Sequence, residues 1–295
     1  MNKPSHAVIE EHKEQINFVA WSPDGKLFLS SAKDKAFIMW DPDTLRPRRY
    51  IGVKGEITLA SWAPNSAMFA FVLDGLRIAV YDTRLQRNVA ELVGHTDKIT
   101  ALSWDHKSER LVSASFDKAI NIWDVGKGEC LQTLRGHLGP VLAVDWEKRE
   151  GAYIATGGAD NNLFIWYVEK GSILSKLSGH LGAVKLVHWN PATNLLASAC
   201  EGRVIRIWSY PDWKPVKAFR CPAGIMTMKW SPNGLYIAAG CDDGVIRVWD
   251  VEGKLVRELH GHTGKVVSVD WSPDLKMVSG GEDKTIRVWD PGLEK

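Results

Sequence analysis

The sequence predicts an all-β fold, a seven-bladed β-propeller of four-stranded antiparallel blades, and three observations carry that prediction. The first is a tryptophan lattice with a period of about 42 residues, repeated seven times. One series is Trp21, Trp62, Trp104, Trp146, Trp189, Trp230 and Trp271. The other is Trp40, Tyr81, Trp123, Trp166, Trp208, Trp249 and Trp289, and Trp213 alone among the tryptophans falls outside both. Equal spacing means equivalent units, each too small to bury its own apolar face, so neighbours must stack. The second observation is the internal pattern of one repeat, which reads as four short strands. The third lies at the ends of the chain. The last repeat stops at Trp289-Asp290 after three strands, and His6 to Glu10 has the pattern of the missing fourth.

Within the third repeat the elements follow in order. Gly94-His95 opens it, and Ile99, Ala101 and Trp104 alternate as a half-buried strand does. Residues 105–110 are a polar turn, 111–115 a second strand of small and branched residues, and 116–118 another turn. Residues 119–123 form the third strand, 124–129 turn the chain, and 130–134 form the fourth. Ser22-Pro23-Asp24-Gly25 and Ser231-Pro232-Asn233-Gly234 are turns in which Pro presets φ and Gly permits the left-handed region. No segment carries a helical stripe. Radial stacking leaves only short, protected sheet edges. The predicted domain is therefore one propeller over residues 1–295, with residues 6–10 completing blade seven. Removing residues 1–10 should lower the melting temperature sharply.

Composition bounds the rest. Hydrophobic residues make up 45% and charged residues 24%, an ordinary soluble balance with a large core. A net charge of +2 neither favours nor excludes nucleic acid, because a local patch outweighs the sum. Cys130, Cys200, Cys221 and Cys241 form no CxxC pair, so they read as reduced thiols in a cytoplasmic or nuclear protein. Residues 1–10 lack the apolar stretch of a secretory leader, and no run of eighteen apolar residues occurs. The expectation is a soluble, unsecreted, monomeric propeller without membrane insertion and without a cofactor.

Four Gly-His pairs (Gly94-His95, Gly136-His137, Gly179-His180, Gly261-His262) open repeats, and Trp40-Asp41, Trp123-Asp124, Trp249-Asp250 and Trp289-Asp290 close them. On these residues the whole chain resembles the WD-repeat, or β-transducin-like, family. The resemblance implies a buried hydrogen-bonded tetrad of His, Ser or Thr, Asp and Trp in each regular blade. Its spacing occurs four times: His12, Ser30, Asp34, Trp40; His95, Ser113, Asp117, Trp123; His137, Thr156, Asp160, Trp166; and His262, Ser279, Asp283, Trp289. Blade two has Val53, Phe71, Gly75 and Tyr81 instead, blade five puts Gly202 at the Asp position, and blade six has Cys221 and Ala239. Those three blades are expected to be held by packing alone, with blade two the softest.

Several residues tempt an enzymatic reading. The Ser/His/Asp sets imitate hydrolase triads, but a catalytic triad occurs once and faces a cleft, whereas these recur. The histidines have no metal-binding spacing, and His262 of His260-Gly261-His262 belongs to a tetrad. Cys200, Cys221 and Cys241 read as buried inert thiols rather than a metal or redox cluster. Gly157-Gly158 and Gly280-Gly281 fit tight strand packing, and no phosphate-binding loop appears. The expectation is no catalytic residue and no metal. Arg46, Arg48, Arg49, Arg84 and Arg87 are the densest basic cluster, read first as solvated surface and second as a contact for an acidic partner. Trp213 reads as a cap on the edge of blade five.

Function is then expected on loops held by the scaffold. The resemblance implies that partners dock on the face bearing the inter-blade loops and the turn before each tetrad Asp. Three positions per blade project there. Carried over, they expose Phe116, Pro140, Leu142 and Met226 as an apolar centre, with Asp74, Glu201, Asp242, Glu282, Lys98, Lys185 and Lys265 as a polar rim. The leading reading is a non-enzymatic scaffold that binds peptide or protein partners there and supports a multiprotein complex. The alternative is a nucleic-acid-binding adaptor, an RNA or RNP component, using the arginine patch.

Overall fold

The computed structural model of the protein describes residues 5–293, and every regular element in it is a β-strand. The strands form seven four-stranded antiparallel sheets, the blades of a β-propeller. Blade one is Ile16–Trp21, Phe28–Ala32, Ala36–Trp40 and Pro47–Gly52, and the same order repeats along the chain. The exception is blade seven, whose fourth strand comes from the other end of the chain. Ser5–Ile9 pairs antiparallel with Ile286–Asp290, in the register Ala7 to Val288 and Ile9 to Ile286. His6 stacks on Trp289 with ring centroids 4.9 Å apart, so the closing strand adds an aromatic contact to its ladder.

The chain divides into two compact units. One comprises residues up to 57 and from 222 onward, and holds blades six, seven and one. Residues 58–221 make the other, with blades two to five. In both, second and third strands are mostly buried, first strands alternate buried and half-buried residues, and fourth strands are largely exposed. That gradient explains the composition of the strands. Inner strands need apolar residues on both faces, since they are covered by neighbouring blades, and outer strands need them on one. Val141, Val144, Trp146, Ile154 and Trp166 of blade four pack with Val112, Ile120 and Ile122 of blade three. In the other unit Ile16, Val19 and Trp21 of blade one pack with Val278 and Ile286 of blade seven.

Polar straps reinforce these contacts. Asp145 Oδ1 accepts the Ser103 hydroxyl at 2.7 Å and Oδ2 accepts the Trp189 backbone N–H at 2.8 Å, so one carboxylate joins blades three, four and five. In the other unit Asp270 of blade seven accepts the Trp21 N–H of blade one at 2.8 Å. Sequence reasoning did not single out either residue. The available signal was the repeated Val-Asp-Trp at 144–146 and 269–271, which places a charge beside a buried Trp.

Candidate functional site

In four blades the tetrad residues meet. In blade three, Trp123 Nε1 donates to Ser113 Oγ at 2.8 Å, that oxygen lies 2.7 Å from His95 Nε2, and His95 Nδ1 lies 2.8 Å from Asp117. Blades one, four and seven repeat the chain through His12, Ser30, Asp34 and Trp40, through His137, Thr156, Asp160 and Trp166, and through His262, Ser279, Asp283 and Trp289. Indole N–H is donor only and a carboxylate is acceptor only, so the proton order along the chain is fixed. Nδ1 carries the histidine proton, and Nε2 accepts from the hydroxyl.

Each Asp also caps the turn. Asp117 accepts the backbone N–H of Thr96 and of Ala119, and Asp160 those of Leu138 and Asn162. Burial pushes these carboxyls up, but the backbone donors and the histidine outweigh it and hold Asp117, Asp160 and Asp283 below the ordinary range. Burial also holds His95, His137 and His262 below the usual imidazole value, against the pull of their carboxylates. In such a set the hydroxyl is held between indole and imidazole and the carboxylate between imidazole and backbone N–H groups, so every polar group is engaged within the blade. Its chemistry is structural.

The expectation that blades two, five and six rest on packing alone is corrected in two of them. Blade five keeps three tetrad members: Trp208 Nε1 donates to Ser198 Oγ at 2.8 Å, and that oxygen lies 2.7 Å from His180 Nε2. Only the acid is missing, because Gly202 stands in its place. Blade six keeps the acid and replaces the histidine. Arg247, almost fully buried, donates to Asp243 at 2.7 Å and to Glu258 at 2.9 Å. That pairing, with the Arg247 hydrogen bond as its chief cause, holds Asp243 below the usual carboxylate range. Blade two shows an aromatic cluster of Phe69, Phe71 and Tyr81.

The proposed contact residues sit at defined irregularities. In the first strand of six blades a bulge skips a single residue, between Ile16 and Phe18, Ile99 and Ala101, Val141 and Ala143, Val184 and Leu186, Ile225 and Thr227, and Val266 and Ser268. The skipped residues are Asn17, Thr100, Leu142, Lys185, Met226 and Val267. A bulge takes a side chain out of the ladder and re-aims it, which is the physical basis for placing them on a loop face. Beside each bulge a backbone bond draws two loops together: Lys33 N–H to Gln15 O, Phe116 to Lys98, Ala159 to Pro140, Glu201 to Ala183, Asp242 to Gly224 and Glu282 to Lys265.

Exposure differs from the expected picture. Phe116 is 40% and Met226 42% exposed, but Leu142 and Pro140 are only half-exposed, and Leu138 and Leu181 stand out further at 81% and 97%. Much of the polar rim is already paired. Lys185 meets Glu201 at 2.7 Å, Lys265 meets Glu282 at 3.6 Å, Arg77 meets Asp74 at 3.0 Å, and Asp242 accepts the Gly224 N–H. Lys98 has no ion pair among the described residues. Phe116, Pro140, Leu142, Asp74, Lys98, Lys185 and Glu201 belong to the unit of residues 58–221, and Met226, Asp242, Lys265 and Glu282 to the other.

The basic residues likewise divide between the units, Arg46, Arg48 and Arg49 in one and Arg84 and Arg87 in the other. Arg48 is held by Asp41, whose carboxyl is lowered to about 2, first by the Thr44 backbone N–H and then by Arg48. Among the described residues no group of three His, Cys, Asp or Glu side chains converges to hold a metal ion, and no helix is long and apolar enough to cross a membrane. Cys200, Cys221 and Cys241 are buried and not in disulfides. Trp213 packs edge-on to Tyr153 of blade four and Trp189 of blade five, with Tyr210 beside it, so it seals an aromatic cluster.

Comparison with known proteins follows from this geometry. The family model described as IFT122 first beta-propeller matches residues 118–291, and the model described as WD domain, G-beta repeat matches residues 3–41 and 86–124. The chain is 29% identical to guanine nucleotide-binding protein subunit beta-5b of Danio rerio over 296 aligned residues, 95% of this chain and 74% of that protein. It is 26% identical to anaphase-promoting complex subunit cdc20 of Dictyostelium discoideum, across 51% of this chain and 31% of that one. It is 28% identical to nuclear distribution protein PAC1 of Arthroderma otae, across 54% of this chain and 37% of that one. The last two matches thus span about a third of the relatives' length. Two of the three relatives are named as subunits of larger assemblies.

Proposed function

Because the chain belongs to the WD-repeat β-propeller family, we propose that it is a non-enzymatic scaffold that binds peptide or protein partners on the loop face of its blades and supports assembly of a complex. The observation that carries this reading is the bulge register. It takes one side chain out of the ladder in six blades, each beside a turn residue: Thr100 beside the exposed aromatic Phe116 in blade three, and Leu142 beside Ala159 in blade four, with Thr100 donating to the Val141 carbonyl next to Leu142. An aromatic anchor with aliphatic neighbours and a polar surround is the composition of an interface centre. Lys98, beside Phe116 and without an ion pair among the described residues, adds a charge able to select an acidic partner. The in-blade pairing of Lys185 with Glu201 and of Lys265 with Glu282 makes the rest of the rim a source of selectivity rather than of net field. Partners held on separate blades gain effective concentration, which is how a scaffold without chemistry acts.

The test is affinity capture with wild type beside Phe116→Ala/Leu142→Ala, each at low and high salt, with melting curves of both proteins. The expected outcome is a protein partner retained by wild type at high salt and weakened by roughly 1–4 kcal/mol in the double variant, at little cost in stability. Equal losses of binding and stability would place both residues in the core. Nucleic acid that salt releases, and that the double variant retains, would transfer the function to the arginine residues.

A further inference from the structure

We propose that blade five carries a binding site for a carboxylate group supplied by a ligand, seated where the tetrad aspartate stands in blades one, three, four and seven. The inference starts from what that aspartate does elsewhere. In blade four its two oxygens accept from His137 Nδ1, from the Leu138 backbone N–H at 2.8 Å and from the Asn162 backbone N–H at 3.1 Å. Blade three repeats the set with His95, Thr96 and Ala119, and blade seven with His262, Thr263 and Thr285. The corresponding groups in blade five are His180 Nδ1, the Leu181 N–H and the Val204 N–H. The turn itself is preserved, since Arg203 has a left-handed φ of 62°, close to the 67°, 64° and 67° of Lys118, Asn161 and Lys284 after their aspartates. Gly202, with no side chain, leaves the seat without its acid.

The space is open. A cavity of about 270 Å³ is lined by His180, Leu181, Gly202, Val204, Arg206 and Arg220, among others. One water takes about 30 Å³ of liquid volume, so the cavity has room for a carboxylate and a substituent. His180 is 93% buried, being 7% exposed, yet its Nδ1 has no hydrogen-bond partner, and neither has the buried Arg206 Nε. When the Ser198 hydroxyl donates to Nε2, as its counterparts do in the four complete tetrads, the proton lies on Nδ1, and a carboxylate in the cavity selects that tautomer. Unpartnered buried donors with no nearby acceptor are costly, and an anion removes that cost.

Charge and shape point the same way. Arg206 lies across Gly179, whose φ of +133° brings its carbonyl to the guanidinium at 2.7 Å. A Cβ at position 179 would come within 3.3 Å of that guanidinium carbon, so glycine there is what lets the arginine reach the cavity. Arg220 supplies a second positive charge. Glu201, the residue before Gly202, is already paired with Lys185. Leu181, 97% exposed, gives the substituent of an incoming acid an apolar contact at the mouth. Two acids present this chemistry, a free small carboxylate and the side chain of Asp or Glu on a partner segment.

The experiment follows the imidazole of His180 by NMR while sodium acetate is titrated against sodium chloride at equal ionic strength. A short peptide with one central glutamate, and its glutamine version, are titrated in parallel. The expected result is a saturable shift of His180 Nδ1 with acetate and with the glutamate peptide, absent with chloride and the glutamine peptide. His95 and His137, which have their own acids, stay unmoved. Saturation by the peptide at tenfold lower concentration than acetate assigns the acid to a protein side chain, and the reverse assigns it to a free small acid. Gly202→Asp supplies the acid internally, and a Cβ there meets only Cys200 Sγ at 3.5 Å. That variant should show the bound His180 signal without ligand, lose the acetate response, and melt roughly 2–4 °C higher. The proposal is overturned if the wild-type His180 signal shows no saturable response to acetate or peptide. It is equally overturned if Gly202→Asp, or the neutral Gly202→Asn, responds as strongly as wild type. Phe116→Ala/Leu142→Ala should leave the response unchanged, which separates this site from the loop-face reading.

Discussion

Blades four and five sit next to each other in sequence, share the same strand order, and differ in whether their polar chain ends in an acid. In blade four Trp166, Thr156, His137 and Asp160 form an unbroken series; in blade five Trp208, Ser198 and His180 form the same series without an acid. The Trp-to-hydroxyl distance is 2.8 Å in both, and the hydroxyl-to-imidazole distance is 2.8 Å in one and 2.7 Å in the other. The acid is therefore not what positions the imidazole. The tetrad consists of two devices that usually occur together. Trp, Ser and His tie the third strand, second strand and incoming loop to one another. Asp satisfies the donors of the loop and the turn.

The comparison can be broken most forcefully by making blade four resemble blade five. Asp160→Gly removes the acceptor from His137 Nδ1 and from the Leu138 N–H, and we expect it to cost roughly 2–4 kcal/mol in urea unfolding. A cost well below about 1 kcal/mol would mean that the acid contributes little anywhere. Ser198→Ala in blade five strands Trp208 Nε1 and His180 Nε2 together and should cost about 2 kcal/mol. No change there would restore the reading of blade five as held by packing alone.

A third test uses pH. Burial, and then the Arg206 charge, holds His180 down to about 4 from an ordinary value of 6.5. Above pH 6.5 the ring is neutral in both the folded and the unfolded chain, so the stability tied to it is fully present. As pH falls from 6.5 towards 4 only the unfolded chain takes the proton, and that stability is lost. Gly202→Asp gives the imidazolium a partner, so its urea midpoint should fall less than that of wild type over the same interval. Parallel curves for the two proteins would count against the seat. The smallest effect belongs to Gly202→Ala, expected within about 0.5 kcal/mol of wild type, since blade five has already lost the group that Asp160→Gly removes from blade four.

Much of this was legible in the sequence, and the exceptions have physical causes. The Trp lattice specifies seven blades because each series marks a fixed depth in the sheet, and His6 to Glu10 read as the closing strand because its apolar residues matched a vacant edge. The tetrads read correctly where all four residues were present. Blade five was judged by Gly202, although its His180, Ser198 and Trp208 keep the separations of 18 and 10 residues seen in blade three. Spacing alone does not show that the chain survives the loss of its terminal acid. Arg247 was missed for a different reason. Its role depends on a turn that folds Asp243 back and on register with Glu258 in the next strand, neither of which has a motif. The contact surface was placed by position, but how far Leu142 projects beside Leu138 and Leu181 depends on packing that periodicity does not encode.

Asp145 has a consequence for how the unit of residues 58–221 comes apart. Its two oxygens hold the Ser103 hydroxyl of blade three and the Trp189 amide of blade five, while its own backbone lies in blade four. Releasing blade four uncovers that buried carboxylate and abandons both donors at once, and releasing blade three or five abandons one of them. Blades three, four and five should therefore open as a single cooperative block in hydrogen exchange. The amides of Trp146 and Trp189 would share one opening free energy, and the frayed, exposed fourth strands would exchange ahead of them.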